Sequence, residues 1–381
     1  MNVRVGAGIS AARDPRTAAA EAASITAERL DAPADVVLTF VAGHHLGAAE
    51  AILDRCSREL EARQMLGCGA SGVLGDGVEY EDGDAVAVWA MSAPHADVVA
   101  FELAHAGSEY PEFLDAANGV VLIGDPDPER FDAEIALERF AYELPGKPLV
   151  GGLASAQLST GEKLFFGDNA TESGAVGVSF SGVELLPSVS QGAVPVGPDL
   201  IVTASEGNRL LELGGQPALV SLREAIVELD PEDRERVSSG LLLGVELDDA
   251  GGAIQGGEFV MCGLLSGDPD TGSLEIAEQL DPGQILRLHV RDQDSASSDL
   301  RSALALRRTA LGGTEPAGAL AFSCAGRGSR MFDTPNHDAR VLEDELGCPA
   351  VGIFAGGEIG PVGGRPLMHR FTSTVAVFGA E

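Results

Sequence analysis

Arg327 stands between Gly326 and Gly328, three residues after Cys324. A guanidinium placed there can grip a carboxylate through two parallel hydrogen bonds. Glu358, in Gly356-Gly357-Glu358-Ile359-Gly360, can answer an ammonium group. Together they would complement an amino acid at both ends. The same two side chains could instead pair with each other, or with Arg291 and Asp292, and lock the loops. Ser71, Ser155 and Cys68 can add neutral polar contacts, and Arg365 and His369 close the glycine-rich run that follows Glu358. Cys324 ends the apolar stretch Leu320–Ser323. If regular strand stops at Ser323, its thiol enters the loop beside Arg327, where a guanidinium favours the thiolate. If the strand continues, Cys324 is a buried, inert thiol. Gly326 and Gly328 favour the loop placement.

Other chemistries lack their signatures. There is no Gly-x-Ser-x-Gly, no Gly-x-x-x-x-Gly-Lys-[Ser/Thr] and no His-Glu-x-x-His. The adjacent His44 and His45 diverge in direction, as successive residues do, and the seven histidines show no metal spacing. Gly67-Cys68-Gly69-Ala70-Ser71-Gly72 is a literal G-x-G-x-x-G, but turns and short strand follow it where a dinucleotide site needs a helix. Its glycines indicate a loop that approaches backbone or ligand. The expectation is a protein that binds a small molecule, with no cofactor, metal or catalytic residue. Two alternatives stay open. One is a hydrolase or transferase with Cys324 as nucleophile, its oxyanion held by backbone N–H groups. The other is an interaction scaffold.

The elements that must position these residues recur. Val36–Leu38, Val120–Leu122 and Ala319–Phe322 each open an apolar strand. From Leu38 to Gly67 and from Leu122 to Gly151 is 29 positions, and from Phe322 to Gly352 is 30. Closing strands follow at Ala85–Trp89, Ala175–Ser179 and Thr374–Phe378. This spacing predicts repeated β-α-β-β units with glycine loops at equivalent strand ends. The loop glycines are Gly67, Gly72, Gly326, Gly328, Gly357, Gly360, Gly363 and Gly364. Asp14-Pro15 and Asp127-Pro128 predict helix starts, the second running to about Leu144. A helix is expected over 47–63, hairpins over 157–182, and paired strands around Glu206-Gly207-Asn208. The fold class is α/β (α+β), with mixed sheets, helices and two domains, 1–190 and 200–381. The proline-rich stretch 183–199 marks their boundary. A site between the two domains is expected, as ligand sites favour such interfaces.

Hydrophobic residues make up 45% of the chain and charged ones 22%, which indicates a folded protein. The net charge of −34 repels phosphate backbones and anionic membranes, so neither nucleic acid nor membrane is an expected partner. Five cysteines without a Cys-x-x-Cys, and a start without a basic and apolar leader, predict a cytoplasmic protein with reduced thiols.

Several strings carry a family resemblance. Gly67–Gly72 resembles the N-terminal FIST domain, with Gly69 where serine or threonine is expected. Glu206-Gly207-Asn208, Gly215–Ala218, Leu288–Asp292, Phe322–Gly328, Gly357–Gly364 and Phe371-Thr372 resemble the C-terminal FIST domain. The resemblance covers roughly 20–380 and implies an intracellular sensory module for small ligands such as amino acids. Family members often carry an output domain. Both FIST segments fill this sequence, so the expected partner is a separate signalling protein.

Overall fold

The computed structural model describes residues 3–156, 164–246 and 259–380. Apolar alternation and helix caps set the elements. The first repeat holds β1 (Arg4–Ser10), α1 (Pro15–Leu30), β2 (Val36–Ala42), α2 (Ala49–Glu59), β3 (Met65–Ala70), the hairpin β4 (Val73–Gly75) and β5 (Val78–Tyr80), and β6 (Ala85–Ser92). Asp14 caps α1 by accepting the Thr17 N–H at 2.9 Å, with Pro15 in the first turn. The second repeat holds β7 (Asp97–Leu103), β8 (Gly119–Gly124), α3 (Ala133–Glu143), β9 (Leu149–Leu153), the hairpin β10 (Leu164–Phe166) and β11 (Asn169–Thr171), and β12 (Ala175–Ser181). Asp132, not Asp127, caps α3, accepting from the Ile135 N–H. Asp127-Pro128 forms a turn instead, with the Arg130 N–H on the Asp127 carbonyl.

The third repeat starts with β13 (Leu185–Gln191) and is then interrupted. The insertion holds β14 (Ala193–Glu206), β15 (Arg209–Leu213), β16 (Gln216–Pro217), α4 (Ala218–Glu228), α5 (Pro231–Ser239), β17 (Leu241–Glu246), β18 (Phe259–Cys262), β19 (Leu264–Gly267), β20 (Leu274–Ile276) and β21 (Ile285–Arg291). These strands form one sheet over their own core, which includes Leu213, Leu222, Leu243 and Leu288. The third repeat resumes with α6 (Gln293–Ala310), β22 (Pro316–Cys324), α7 (His337–Leu346), β23 (Ala350–Ala355), the hairpin β24 (Glu358–Val362) and β25 (Arg365–His369), and β26 (Thr372–Gly379). Residues 157–163, within the expected hairpin region, lie outside the described residues.

Each repeat lays its strands in one order. β2 and β3 are parallel, as are β8 and β9, and β22 and β23. β6, β12 and β26 lie antiparallel on the far side of β2, β8 and β22. The hairpins are exchanged. β10 of the second repeat pairs with β3 of the first, β24 of the third with β9 of the second, and β4 of the first with β23 of the third. No repeat completes its own sheet, and the exchange closes a cycle of three.

One glycine in each repeat makes this frame possible. Gly67 faces Thr39, Gly151 faces Leu122 and Gly352 faces Ala321 across the parallel pair. A Cβ on these glycines would sit 1.9, 1.8 and 2.0 Å from the partner's carbonyl oxygen. The three glycines are thus equivalent, although the matched spacing read from Leu38, Leu122 and Phe322 is offset. The true partners of the first and third glycines are Thr39 and Ala321. The three sheets share one core, with Trp89, Phe180 and Phe378 from the closing strands at ring distances of 5.1 and 4.9 Å. Helices cover the other faces: α1 and α2, then α3, then α6 and α7.

The chain divides into two compact units. One comprises Met1–Ser190, Ser297–Met368 and Thr372–Glu381; the other comprises Gln191–Ala296 and His369–Phe371. This division differs from the sequence segments 1–190 and 200–381. The third repeat needs the strands after residue 297 to complete the sheet that β13 begins.

Candidate functional site

The second strands of the three parallel pairs end together. The Ser155 and Ala156 N–H groups donate to the Gly69 carbonyl, the Phe354 N–H to Gly72, and the Leu153 N–H to Gly357. Ser155 Oγ accepts the Ser71 N–H at 2.8 Å, lies 3.2 Å from Ser71 Oγ and donates to the Phe354 carbonyl. Over these ends opens a cleft of about 920 Å³ within the first unit. Ala70 and Ser71, Ala154 to Ala156, and Phe354 with Gly356 contribute one strand end each. Gly43, His44, Leu46, Pro126 and Ala325 come from the loops after the first strands, and Glu81, Asp82, Gly83 and Arg330 complete the wall. In sheets with parallel pairs, ligands collect outside the carboxyl ends of strands, where loop residues converge.

The wall carries both signs of charge. His44 is exposed, with Nδ1 3.1 Å from Asp84 Oδ1. Glu81 accepts from the Ser329 N–H and hydroxyl. Asp82 and Arg330 are exposed. His45 turns away and is buried, its Nε2 2.9 Å from the Ala12 carbonyl. Among the described residues no group of three or more His, Cys, Asp or Glu side chains is placed to hold a metal.

Of the residues singled out in the sequence, Ser71 and Ser155 line this cleft together. Cys68 does not. It is fully buried in β3, and burial pushes its thiol far up. Arg365 starts β25 and is exposed on the hairpin, while His369 is buried at that hairpin's end and falls in the second unit. The run Gly357–Gly364 is not a loop but β24 and a turn, where Gly363 and Gly364 take φ of 57° and 79°. Gly72 packs on the Tyr80 carbonyl, and Gly360 on Val189 and Thr374.

Arg327 is corrected most sharply. Its side chain has no exposure, and its fork is taken by a residue the sequence reading did not consider. Nε donates to Asp338 Oδ2 at 2.7 Å and Nη2 to Asp338 Oδ1 at 2.9 Å. It cannot clamp a ligand carboxylate from the cleft in the bidentate manner expected. Asp338 also meets His337 Nδ1 at 2.9 Å and accepts from the Ser323 hydroxyl at 3.0 Å. Burial alone would raise the Asp338 carboxyl, but Arg327 and His337 outweigh it and hold it well below the usual range. Glu358 is likewise without exposure. Its Oε2 accepts the Thr372 N–H at 3.2 Å and the Thr372 hydroxyl at 2.9 Å. Burial pushes it up to about 8, although Thr372, the Cys324 thiol and Arg327 pull the other way. The strand continues through Cys324, against the loop placement, yet that side chain stays half-buried.

Two family models match, the FIST N domain over residues 35–216 and the FIST C domain over residues 218–361. The chain belongs to the FIST family. FIST domains are associated in general with sensory binding of small ligands. An uncharacterized protein of Mycobacterium tuberculosis strain H37Rv is 38% identical, the match covering 99% of this chain and 100% of that protein. An uncharacterized protein of Mycobacterium bovis is also 38% identical, over 99% of each chain. The solved structure of T. maritima PurL complexed with FGAR is 11% identical, with a TM-score of 0.24 over 99% of this chain and 72% of its own. That likeness is too remote to bear on fold or function. The sequence strings that carried the resemblance land on different parts of this FIST protein. Gly67–Gly72 runs into the cleft floor, whereas Glu206–Asn208 and Leu288–Asp292 belong to the inserted unit.

Proposed function

We propose that this FIST protein binds an amino acid or similar small metabolite in the strand-end cleft and signals through a separate protein partner. The observation that carries this reading is the meeting of three equivalent strand ends under one cleft. Arg330 there can take a carboxylate, and Asp82 an ammonium group, the roles first assigned to Arg327 and Glu358. The Ser71 and Ser155 hydroxyls and nearby backbone offer short-range polar contacts. A cleft of about 920 Å³ holds an amino acid with room left over, or a larger metabolite. Its walls come from both sequence segments, 43–156 and 325–356, yet belong to one compact unit.

A thermal-shift screen of amino acids and small metabolites tests this. A ligand at 100 times its Kd should stabilise the protein by about 2.7 kcal/mol. Gly83 lines the cleft, and a Cβ on it would meet nothing within 4 Å. Gly83→Trp should therefore leave the unliganded melting temperature in place and remove the ligand's shift. A library that stabilises nothing, or a shift that survives Gly83→Trp, would overturn the reading.

A further inference from the structure

Beside the cleft lies a buried polar cluster that the proposed ligand does not use. Its members are Cys324, Arg327, Asp338, Glu358 and Thr372. Two atoms in it are buried without a hydrogen-bond partner: Arg327 Nη1, a donor, and Glu358 Oε1, an acceptor. Both belong to side chains with no exposure. Leaving such groups bare costs about 1–3 kcal/mol each, more when charged. They therefore point to something that supplies an acceptor to one and a donor to the other. Cys324 is the half-buried member. The Arg327 and Glu358 side chains both lie near enough to its sulfur to interact with it, and the Gly326 N–H donates to Sγ at 3.4 Å. The next residue, Ala325, lines the cleft wall and gives the approach from solvent.

The surroundings argue against acyl transfer. An oxyanion needs free backbone donors. The Ala325 N–H is committed to the Ala355 carbonyl, the Gly326 N–H to the sulfur itself and the Arg327 N–H to the Cys324 carbonyl. What remains is one bare guanidinium donor and one bare carboxyl oxygen beside a thiol that already interacts with that carboxyl, a set suited to a small molecule that can both donate and accept. Hydrogen peroxide fits that description, since each oxygen both donates and accepts.

We propose that Cys324 is a peroxide-reactive thiol, with Glu358 as its proton acceptor and donor and Arg327 as the anchor for the peroxide. In the fraction of molecules whose Glu358 is ionised, a fraction that grows as pH rises toward 8, the Cys324 proton passes to Glu358, and the thiolate attacks the nearer peroxide oxygen. The S–O bond forms as the O–O bond breaks, sulfur losing two electrons and the peroxide gaining them. The departing oxygen takes its electron pair and the proton from Glu358, leaving as water. Cys324 becomes a sulfenic acid. Arg327 Nη1 stabilises charge on the separating oxygen. Glu358, raised to about 8, can hold that proton at neutral pH and release it in the step. This input is independent of any ligand in the cleft.

The test treats the native, full-length chain with hydrogen peroxide, traps sulfenic acid with dimedone, and maps each cysteine by mass. Cys348 is the internal reference, since it is also half-buried but its thiol is pushed up to about 12 by burial. Cys324 should be oxidised more than about a hundredfold faster than Cys348, because Glu358 and Arg327 lie beside its sulfur to take the proton and hold the peroxide. In Glu358→Gln the ratio of the peroxide rate to the iodoacetamide rate at Cys324 should fall by at least about tenfold, since alkylation needs no proton for its leaving group. Equal peroxide rates at Cys324 and Cys348 would overturn the proposal, whether or not the variant folds. So would an unchanged ratio in a folded Glu358→Gln protein, which would mean that exposure alone sets the reactivity.

Discussion

The first two repeats and the third share a backbone frame but differ in what they place at their strand ends. In the first two, Ser71 and Ser155 bond to each other and to the Phe354 carbonyl. At the equivalent place the third repeat has Gly356, which contributes no side chain. At the end of the first strand of the pair all three copies differ. Counting on from Thr39, Leu122 and Ala321, the equivalent residues are Ala42, a buried Asp125 that accepts the Asp127 N–H, and, in the third repeat, Cys324 beside Arg327 and Glu358. Two repeats thus supply a floor whose hydroxyls already have partners. The third supplies the buried Arg327–Asp338 pair and two bare polar atoms, Arg327 Nη1 and Glu358 Oε1, while the first repeat holds bare atoms of its own on Thr39, Glu79 and Trp89. Repetition fixes where loops converge, and divergence among the copies decides which chemistry lies at each strand end.

The frame itself is the easiest part to break. Gly67→Ala, Gly151→Ala and Gly352→Ala each drive a Cβ into a carbonyl oxygen of the paired strand. Each should cost more than about 4 kcal/mol and leave little folded protein by circular dichroism. A Gly352→Ala variant that folds while the other two do not would show that the third repeat does not share the frame. Next in size is the ion pair. Asp338→Asn removes the partner of the buried Arg327 and should cost about 3–5 kcal/mol in urea unfolding. A loss below about 1 kcal/mol would mean that Arg327 is not a buried, uncompensated charge in the variant.

Acidity sharpens the same contrast. Glu79, on the first repeat's exchanged hairpin, is pushed up to about 7 by burial, despite the Ala339 N–H that it accepts. Glu358 is pushed up to about 8, again chiefly by burial. Both keep a proton in the folded state that the unfolded chain gives up at the ordinary value of 4.5. Between pH 4.5 and 8 the folded state therefore binds more protons, and stability falls as pH rises. Asp338 works in the opposite direction, and its contribution is lost only in acid, below the ordinary carboxylate range. The melting temperature should be highest near pH 5 and decline toward pH 8. Glu358→Gln should flatten part of that decline. A slope identical to the native one in Glu358→Gln would remove Glu358 as a source.

The parts legible in the sequence were those that local pattern controls. Asp14-Pro15 announced its helix, and the apolar runs at Val36, Val120 and Ala319 announced parallel-pair strands. Gly151 and Gly352 were legible as glycines of the second strands, whereas Gly67, read as a loop glycine, lies inside β3 against the Thr39 carbonyl, where only glycine fits. The exchange of hairpins was not, since β4, β10 and β24 pair with strands far away in the chain and no local residue states which. The insertion after β13 was also hidden, because its strands look like any others. Arg327 was misjudged for a related reason. Flanking glycines suggested an open loop, but whether an arginine faces a ligand or an aspartate depends on α7, which brings Asp338 beneath it. Arg330 and Asp82 gave no signal beyond their charge.

The smallest effect concerns Gly356, the place where the third repeat lacks a hydroxyl. Gly356 lines the cleft, its φ is not positive, and a Cβ there would lie 3.2 Å from the Ala154 carbonyl oxygen. That is tight but needs only a small adjustment, unlike the contact at Gly352 four residues earlier. Gly356→Ser would make the strand ends alike in all three repeats. The new hydroxyl can donate to a carbonyl of the floor, a bond worth about 1 kcal/mol that offsets the crowding. Stability should therefore change by less than about 1 kcal/mol, read as a shift of the urea midpoint at constant slope. A loss approaching that of Gly352→Ala would show that the third strand end is not equivalent to those at Ser71 and Ser155. An unchanged midpoint with altered ligand affinity would place the bound molecule directly over the meeting point of the three strands.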